Sequence, residues 1–125
     1  MDHIEIYVSD LMKTKDFYEF LLVDNLSFEI YQEWSEGISY KKNGFYIVFV
    51  QSKNLDEKYN RTNIGLNHLA LNIDSHVQLD VLRDRCIEEN IVLLYDEKYP
   101  YAGGKDHYAL FFEDPDRIKI EIVVI

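Results

Sequence analysis

The sequence lacks what a disulfide scaffold, a thiolate metal cluster or a membrane span requires. Its 125 residues include one cysteine, Cys86, which excludes both an internal disulfide and a cluster of cysteine ligands. Cys86 falls among the apolar positions of a predicted helix, and we interpret it as a buried, unreactive thiol. No apolar run approaches the roughly 18 residues of a membrane-spanning helix. We therefore expect a cytoplasmic protein with no membrane partner.

Basic residues are also scarce, with 13 Lys and Arg against 23 Asp and Glu, for a net charge of −10. The average surface should repel phosphate backbones and anionic lipids. We therefore set nucleic-acid binding and membrane-surface binding aside. In contrast, hydrophobic residues make up 47% of the chain, including ten Tyr and seven Phe. This composition predicts one folded domain with a core that needs no covalent staples.

The order of predicted elements repeats along the chain. Alternating polar and apolar residues predict a strand at Met1–Val8 and another at Leu66–Ile73. Capping residues then predict helices that start near residues 10–13 and 74–76. Three further strands complete each half: Ser27–Gln32, Ile38–Lys42 and Phe45–Gln51 in the first, and Ile91–Tyr95, Tyr108–Phe112 and Ile118–Val124 in the second. The sequence thus predicts a single α+β domain over residues 1–125, with module 1 at 1–51, a linker at 52–65 and module 2 at 66–125.

The two halves can be aligned residue by residue. Asp2-His3-Ile4 aligns with Asn67-His68-Leu69, and the segment 43–48 aligns with 116–121. In this alignment Val48 and Glu121 occupy equivalent positions. An internal repeat of this kind constrains the fold more strongly than any single element does.

Three motifs stand out, at residues 2–11 with Phe17-Tyr18, at residues 67–71, and at residues 111–116 with 118–121. They resemble motifs of the glyoxalase, bleomycin-resistance and extradiol dioxygenase proteins, the vicinal oxygen chelate superfamily. The resemblance implies two βαβββ modules that form a curved mixed sheet of eight strands with two main helices. It also implies that a dimer completes the fold and that a metal binds at the bottom of the curved sheet. Arg117 stands where the family turn usually has Gly, at a position that often requires a positive φ.

Carried over residue by residue, the resemblance implies metal ligands at His3, His68 and Glu121. Val48 stands where the fourth ligand would be. Each of the three ligand candidates lies on the strand face opposite an aliphatic row that would pack beneath a helix. Two neutral imidazoles and one carboxylate suit a divalent ion such as Zn, Ni, Mn or Fe.

Three further residues are candidates for a substrate pocket: His107, Tyr7 and Tyr46. His107 alternates with Ala109 and should face the ligand side, where it would act as a base or merely contact solvent. Tyr7 and Tyr46, together with Tyr31, would form an aromatic wall for a small organic ligand. Ring packing without a ligand is the alternative interpretation of these tyrosines.

Two functional hypotheses follow from these patterns. The first is a metal-dependent, lactoylglutathione lyase-like enzyme that uses Lewis-acid catalysis on a small oxygenated substrate. The second is a metal-free protein of the bleomycin-resistance type that sequesters its ligand. The two histidines and Glu121 favour the first hypothesis, whereas Val48 and the aromatic wall favour the second. In either case we expect a homodimer in which His3 of one subunit approaches His68 and Glu121 of the other.

Overall fold

A computed structural model describes residues 1–125, and the chain divides into two compact units, Met1–Lys58 (unit 1) and Tyr59–Ile125 (unit 2). Each unit contains one four-stranded mixed sheet and one main helix. The elements of unit 1 are β1 (Asp2–Val8), α1 (Leu11–Tyr18), β2 (Glu29–Trp34), β3 (Gly37–Lys42) and β4 (Phe45–Gln51). Those of unit 2 are β5 (His68–Ile73), α2 (His76–Glu88), β6 (Leu93–Leu94), β7 (Ala109–Glu113) and β8 (Lys119–Val124).

The sheet of unit 1 has the strand order β1-β4-β3-β2, with β1 parallel to β4 and the other pairs antiparallel. Helix α1 begins where the Asp10 side chain accepts a hydrogen bond from the Lys13 amide, which satisfies one of the free donors of the first turn. Tyr18 of this helix stacks on Phe49 of β4 with ring centroids 4.1 Å apart, and both residues are fully buried. The helical path continues as a π-helical segment, Glu19–Asn25, which the sequence analysis did not predict.

The sheet of unit 2 has the corresponding order β5-β8-β7-β6, with β5 parallel to β8. Helix α2 begins at a similar cap, where Ser75 accepts a hydrogen bond from the Gln78 amide. The helix buries Leu79, Leu82 and Cys86. Burial raises the pKa of the Cys86 thiol to about 12, so the prediction of a buried thiol is confirmed.

The predicted eight strands and two main helices are confirmed, with changes at several ends. The strand predicted at Ile91–Tyr95 shrinks to Leu93–Leu94 because Tyr95 adopts a left-handed conformation (φ 57°) and leads into a 3₁₀ turn. The strand predicted from Ser27 begins at Glu29, since Ser27 also has a positive φ (63°). Neither helix has the length and apolar character needed to cross a membrane.

Strand register confirms the alignment of the two halves. His3 pairs with Tyr46 in unit 1, and His68 pairs with Lys119 in unit 2. Tyr46 and Lys119 each lie two residues before positions 48 and 121. The structure therefore places these two positions at the same point of their respective sheets.

The turn between β7 and β8 contains Arg117, which stands where the family turn usually has Gly. Arg117 has a φ of 68°, as expected of that position, and Asn43 in the equivalent turn of unit 1 has a φ of 55°. Arg61, from the segment before β5, donates hydrogen bonds to the Glu113 carboxylate (2.6 Å) and to the Arg117 carbonyl (3.0 Å). These contacts attach residues preceding β5 to the closing hairpin of unit 2.

Candidate functional site

The sheet of unit 2 presents two sets of side chains on opposite faces. Ile120 and Ile122 point to the buried side and have no exposed surface. Glu121 points the other way, next to Ala70 of β5 and Phe111 of β7 in the register. Because side chains alternate along a strand, His68 lies on the same face as Glu121.

Three titratable side chains meet on this face and form the cluster His68, His107 and Glu121. The Nε2 atom of His68 lies 3.0 Å from Oε1 of Glu121. The Nε2 atom of His107 contacts the other carboxylate oxygen, Oε2. The Glu121 side chain is only 7% exposed. A carboxylate buried to this extent requires polar or charged partners, and the two imidazoles supply them.

Asn67 orients the ring of His68. Its Oδ1 atom lies 2.7 Å from Nδ1 of His68. With Nδ1 against the Asn67 amide, Nε2 is the ring nitrogen that faces Glu121.

His107 is held by a loop that is attached to helix α2. Tyr108, the next residue, donates a hydrogen bond from its hydroxyl to Oδ1 of Asp80 (2.7 Å), and Tyr99 donates to the same oxygen (2.6 Å). The ring of His76 stacks on Tyr108 at 3.9 Å and 7°. The hydrogen bonds from Tyr99 and Tyr108 hold the pKa of Asp80 below its ordinary value. We call Asp80, Tyr99 and Tyr108 the Asp80 clamp.

In unit 1 the corresponding face carries a cluster of rings. His3 stacks on Tyr46 with centroids 4.5 Å apart, and Tyr46 meets Tyr31 edge-on at 5.2 Å. Tyr7 lies on the same strand face as His3 and is 70% exposed. Tyr31 and Tyr46 of the predicted aromatic wall are thus in ring contact, and His3 is the third ring of this cluster.

The position equivalent to Glu121 lacks any ligand atom. Val48 is 5% exposed and pairs with Ser39 of β3, which is fully buried. The Ser39 hydroxyl lies 3.1 Å from the backbone amide nitrogen of Gln32 and accepts a hydrogen bond from it. A buried hydroxyl at this point was not predicted from the sequence.

The family model of the glyoxalase/bleomycin resistance protein/dioxygenase superfamily matches residues 1–122. The chain belongs to this superfamily. It is 46% identical to the uncharacterized protein YqjT of Bacillus subtilis over 125 residues, covering 98% of this chain and 97% of YqjT. It is also 41% identical to a Bacillus halodurans protein provisionally assigned as a glyoxalase, with a TM-score of 0.96 and coverage of 100% and 95%.

More distant superfamily members share the fold. A lactoylglutathione lyase from Agrobacterium tumefaciens has a TM-score of 0.68 at 15% identity, over 99% of this chain and 92% of the lyase. A glyoxalase/bleomycin resistance protein from Albidiferax ferrireducens has a TM-score of 0.76 at 20% identity, over 100% and 98%. At these identities the likeness establishes a glyoxalase-like fold and says nothing further about the site.

Members of this superfamily often use divalent metals, and the donors of unit 2 suit one chemically. Two imidazole nitrogens and a carboxylate are ligands that Zn²⁺ and neighbouring transition ions accept. However, no three His, Cys, Asp or Glu side chains surround a common point as formed ligands would. The imidazoles of His68 and His107 contact the Glu121 carboxylate directly. Unit 2 therefore contains the donors of a metal site without the arrangement of a formed one.

Each residue selected from the sequence has a defined place in this superfamily fold. His68 and Glu121 come together, as do His107 and Glu121, whereas His3, Tyr7 and Tyr46 belong to unit 1. The sequence patterns did not identify Asn67 or the Asp80 clamp as parts of the site. Asn67 directly precedes His68, so its adjacency was a usable signal. The clamp joins residues 19 and 28 positions apart across an irregular loop, and no sequence period reveals such contacts.

Proposed function

We propose that this chain is a cytoplasmic, metal-dependent enzyme of the superfamily, lactoylglutathione lyase-like, that acts on a small oxygenated substrate. One observation carries the proposal: the buried Glu121 carboxylate has an imidazole Nε2 against each of its oxygens. His68 and Glu121 would hold the ion, together with His3 of the second subunit in a homodimer. When bound, the ion would supply Lewis-acid polarisation of adjacent substrate oxygens.

The remaining residues would bind and orient the substrate. Tyr7 and Tyr46 offer ring surface on the open face of unit 1, which suits the carbon skeleton of a small organic molecule. Asn67 fixes which nitrogen of His68 is available, and such hydrogen bonds commonly govern both affinity and ligand orientation. His107 lies against Glu121 at the same place and would contact whatever binds there.

The direct test is a thermal melting series with Zn²⁺, Ni²⁺, Mn²⁺ and Fe²⁺ added to metal-depleted protein. An ion that binds the folded chain raises the melting temperature. We expect at least one ion to do so, and His68→Ala to abolish the rise while leaving the fold, since His68 faces away from the helix. No rise with any of the four ions would refute metal dependence. Turnover of 2-oxoaldehyde thiohemiacetals and related vicinal oxygen compounds would then be measured with the ion that stabilises most.

We further propose that the protein is a homodimer in which His3 of one subunit approaches His68 and Glu121 of the other. Mixing two inactive variants tests this arrangement. His3→Ala and Glu121→Gln chains, refolded together, should regain metal binding because half of the sites in a mixed dimer contain all native ligands. Absence of recovery in a confirmed mixed dimer, or a monomer at micromolar concentration by sedimentation, would contradict it.

A metal-free binding protein is the second candidate. The absence of three His, Cys, Asp or Glu side chains arranged around a common point favours it. The replacement of a carboxylate by Val48 and the ring contact of Tyr31 with Tyr46 favour it as well. Under this alternative an aromatic ligand should raise the melting temperature in the presence of a chelator.

A further inference from the structure

A lysine lies on the same sheet face of unit 2 as His68 and Glu121. In the strand register, Lys119 of β8 is the residue opposite His68 of β5. Because side chains alternate along a strand, Lys119 and Glu121 project from one face, with their Cα atoms about 6.5–7 Å apart. This face therefore carries a cation within the length of a small molecule from the buried carboxylate.

The ammonium group of Lys119 forms no ion pair with a carboxylate. Its Nζ atom lies 3.5 Å from the Tyr95 hydroxyl oxygen and 5.6 Å from the centroid of the same ring. Glu113 of β7 is the cross-strand neighbour of Lys119, but its carboxylate is held by Arg61 (2.6 Å) and Arg117 (3.2 Å). The two oxygens of Glu121 face imidazoles. Lys119 is thus a cation without an acidic partner.

The charge balance around Lys119 is opposite to that of the whole chain. Arg61, Arg117 and Lys119 supply three positive charges against the two negative charges of Glu113 and Glu121, whereas the chain has a net charge of −10. The average surface therefore repels a small anion, and this part of unit 2 attracts it. An ammonium group with available N–H donors also makes strong hydrogen bonds to a carboxylate.

Tyr95 is held next to Lys119 by an unusual backbone conformation. Its φ of 57° is left-handed, which is uncommon for a bulky residue, and such strain is often retained at binding sites. The ring meets Phe111 edge-on at 5.5 Å, and Phe111 is the β7 neighbour of Glu121. Tyr95 is 43% exposed. Since its hydroxyl oxygen accepts from Lys119, the hydroxyl proton remains available to an anion.

We infer that Lys119 and Tyr95 bind a carboxylate of the substrate, and that the substrate is a small 2-hydroxy or 2-oxo acid. Such a molecule has a second oxygen directly beside its carboxylate, and it is short enough to contact Lys119 and the Glu121 side of the face together. The inference rests on the proposed function, because it takes this face of unit 2 as the substrate side. It does not require a bound ion.

Mandelate and mandelamide are matched probes for this site. Both have a phenyl ring and a 2-hydroxyl group, and only mandelate is charged at neutral pH. Full-length, metal-depleted, ¹⁵N-labelled protein would be titrated with each compound and followed by NMR. We expect mandelate to bind at least about tenfold more tightly, as hydrogen bonds between charged groups allow. The largest shifts should occur at Tyr95 and Lys119.

Four variants locate the source of this preference. Lys119→Met keeps the length of the side chain without its charge and should abolish the preference, whereas Lys119→Arg should retain it. Tyr95→Phe should weaken mandelate binding by a smaller factor than Lys119→Met does. Lys98→Met removes the same charge from another exposed residue of unit 2 and should behave as the wild type. Melting curves verify that each variant is folded.

The possible results separate this inference from the proposed function. If the wild type does not distinguish mandelate from mandelamide, or if Lys119→Met keeps the full preference, the inference is wrong and the metal titration still tests the proposed function. An equal loss in Lys98→Met would assign the preference to overall charge and would also overturn the inference. A preference that depends on Lys119, found together with no stabilisation by any ion, would support the inference and refute metal dependence.

Discussion

Units 1 and 2 have the same strand order and the same register, yet the sheet faces opposite their helices carry different chemistry. At equivalent positions, unit 1 has Val48 beside a buried Ser39, and unit 2 has Glu121 between two imidazoles. His3 stacks on a tyrosine ring, whereas His68 pairs with a carboxylate. The repeated topology is determined by alternation and capping, which both halves share. The chemistry depends on a few side chains that can change without disturbing the sheet.

The two faces also differ in exposure. Strand β2 of unit 1 is exposed along its whole length, including Tyr31 and Trp34 at 41% and 44%. In unit 2 the corresponding strand β6 has two residues, and the loop after it contains Tyr99, His107 and Tyr108. Unit 1 therefore offers an open aromatic surface, and unit 2 offers a preformed polar cluster.

The largest expected effect comes from removing the carboxylate of unit 2. Glu121→Gln keeps the size of the side chain but removes its charge, and we expect saturable divalent metal binding to be lost. The matched control is Glu5→Gln, which removes a carboxylate from the exposed face of unit 1. Calorimetric titration checks both variants, and equal losses would show that the two faces are not chemically distinct.

Placing a carboxylate at the equivalent point of unit 1 should lower the stability of the metal-free protein. Val48→Glu buries an unpaired charge at a residue that is 5% exposed, and should destabilise the fold by about 2–4 kcal/mol. If position 48 also serves the ion, the added carboxylate should tighten metal binding. Chemical denaturation with and without metal measures both effects, and an unchanged stability would contradict the burial of this position.

A smaller effect is expected at the clamp. Hydrogen bonds from Tyr99, and to a smaller extent from Tyr108, lower the pKa of Asp80. The clamp therefore stabilises the fold at pH values above the ordinary pKa of 3.8, and this stabilisation is lost as the pH falls through the lowered pKa. Asp80→Asn should lower the melting temperature at neutral pH, and the difference from wild type should shrink below pH 3.8. A difference that does not depend on pH would argue against the lowered pKa.

The smallest effect compares the two equivalent turns. Arg117→Gly should stabilise the protein by about 0.5–1 kcal/mol, because a non-glycine residue at positive φ is strained. Asn43→Gly in unit 1 should gain less, since Asn tolerates this conformation better. Melting curves of the two variants measure the gain in stability. A larger gain for Asn43→Gly than for Arg117→Gly would contradict the strain assigned to Arg117.

Much of the fold could be predicted from the sequence because its determinants are local. Alternation indicated the strands, and the pairs Ser9-Asp10 and Asp74-Ser75 indicated the helix starts. The structure confirms these starts and shows that Asp10 and Ser75 are the caps. The π-helical segment and the shortened β6 were not predictable from periodicity. Both depend on individual backbone conformations, such as the positive φ at Tyr95.

The candidate site was predictable only in part. Alternation placed His68 and Glu121 on one face, and their 3.0 Å contact agrees with that placement. The approach of His107 to Glu121 depends on a loop that Asp80 holds from a helix, through side-chain contacts between distant residues. Nothing in local sequence encodes such contacts, so His107 was placed in the pocket without a defined partner.

We propose that the buried Glu121 carboxylate of unit 2, together with His68, binds a divalent ion that unit 1 does not bind by itself. Elemental analysis of protein purified without chelator and dialysed against Zn²⁺ tests it directly, with Glu121→Gln and Glu5→Gln measured in parallel. We expect close to one equivalent of metal per chain in wild type and in Glu5→Gln, and well under one tenth of an equivalent in Glu121→Gln. Metal retained by Glu121→Gln at the wild-type level, or absent from all three proteins, would contradict the claim.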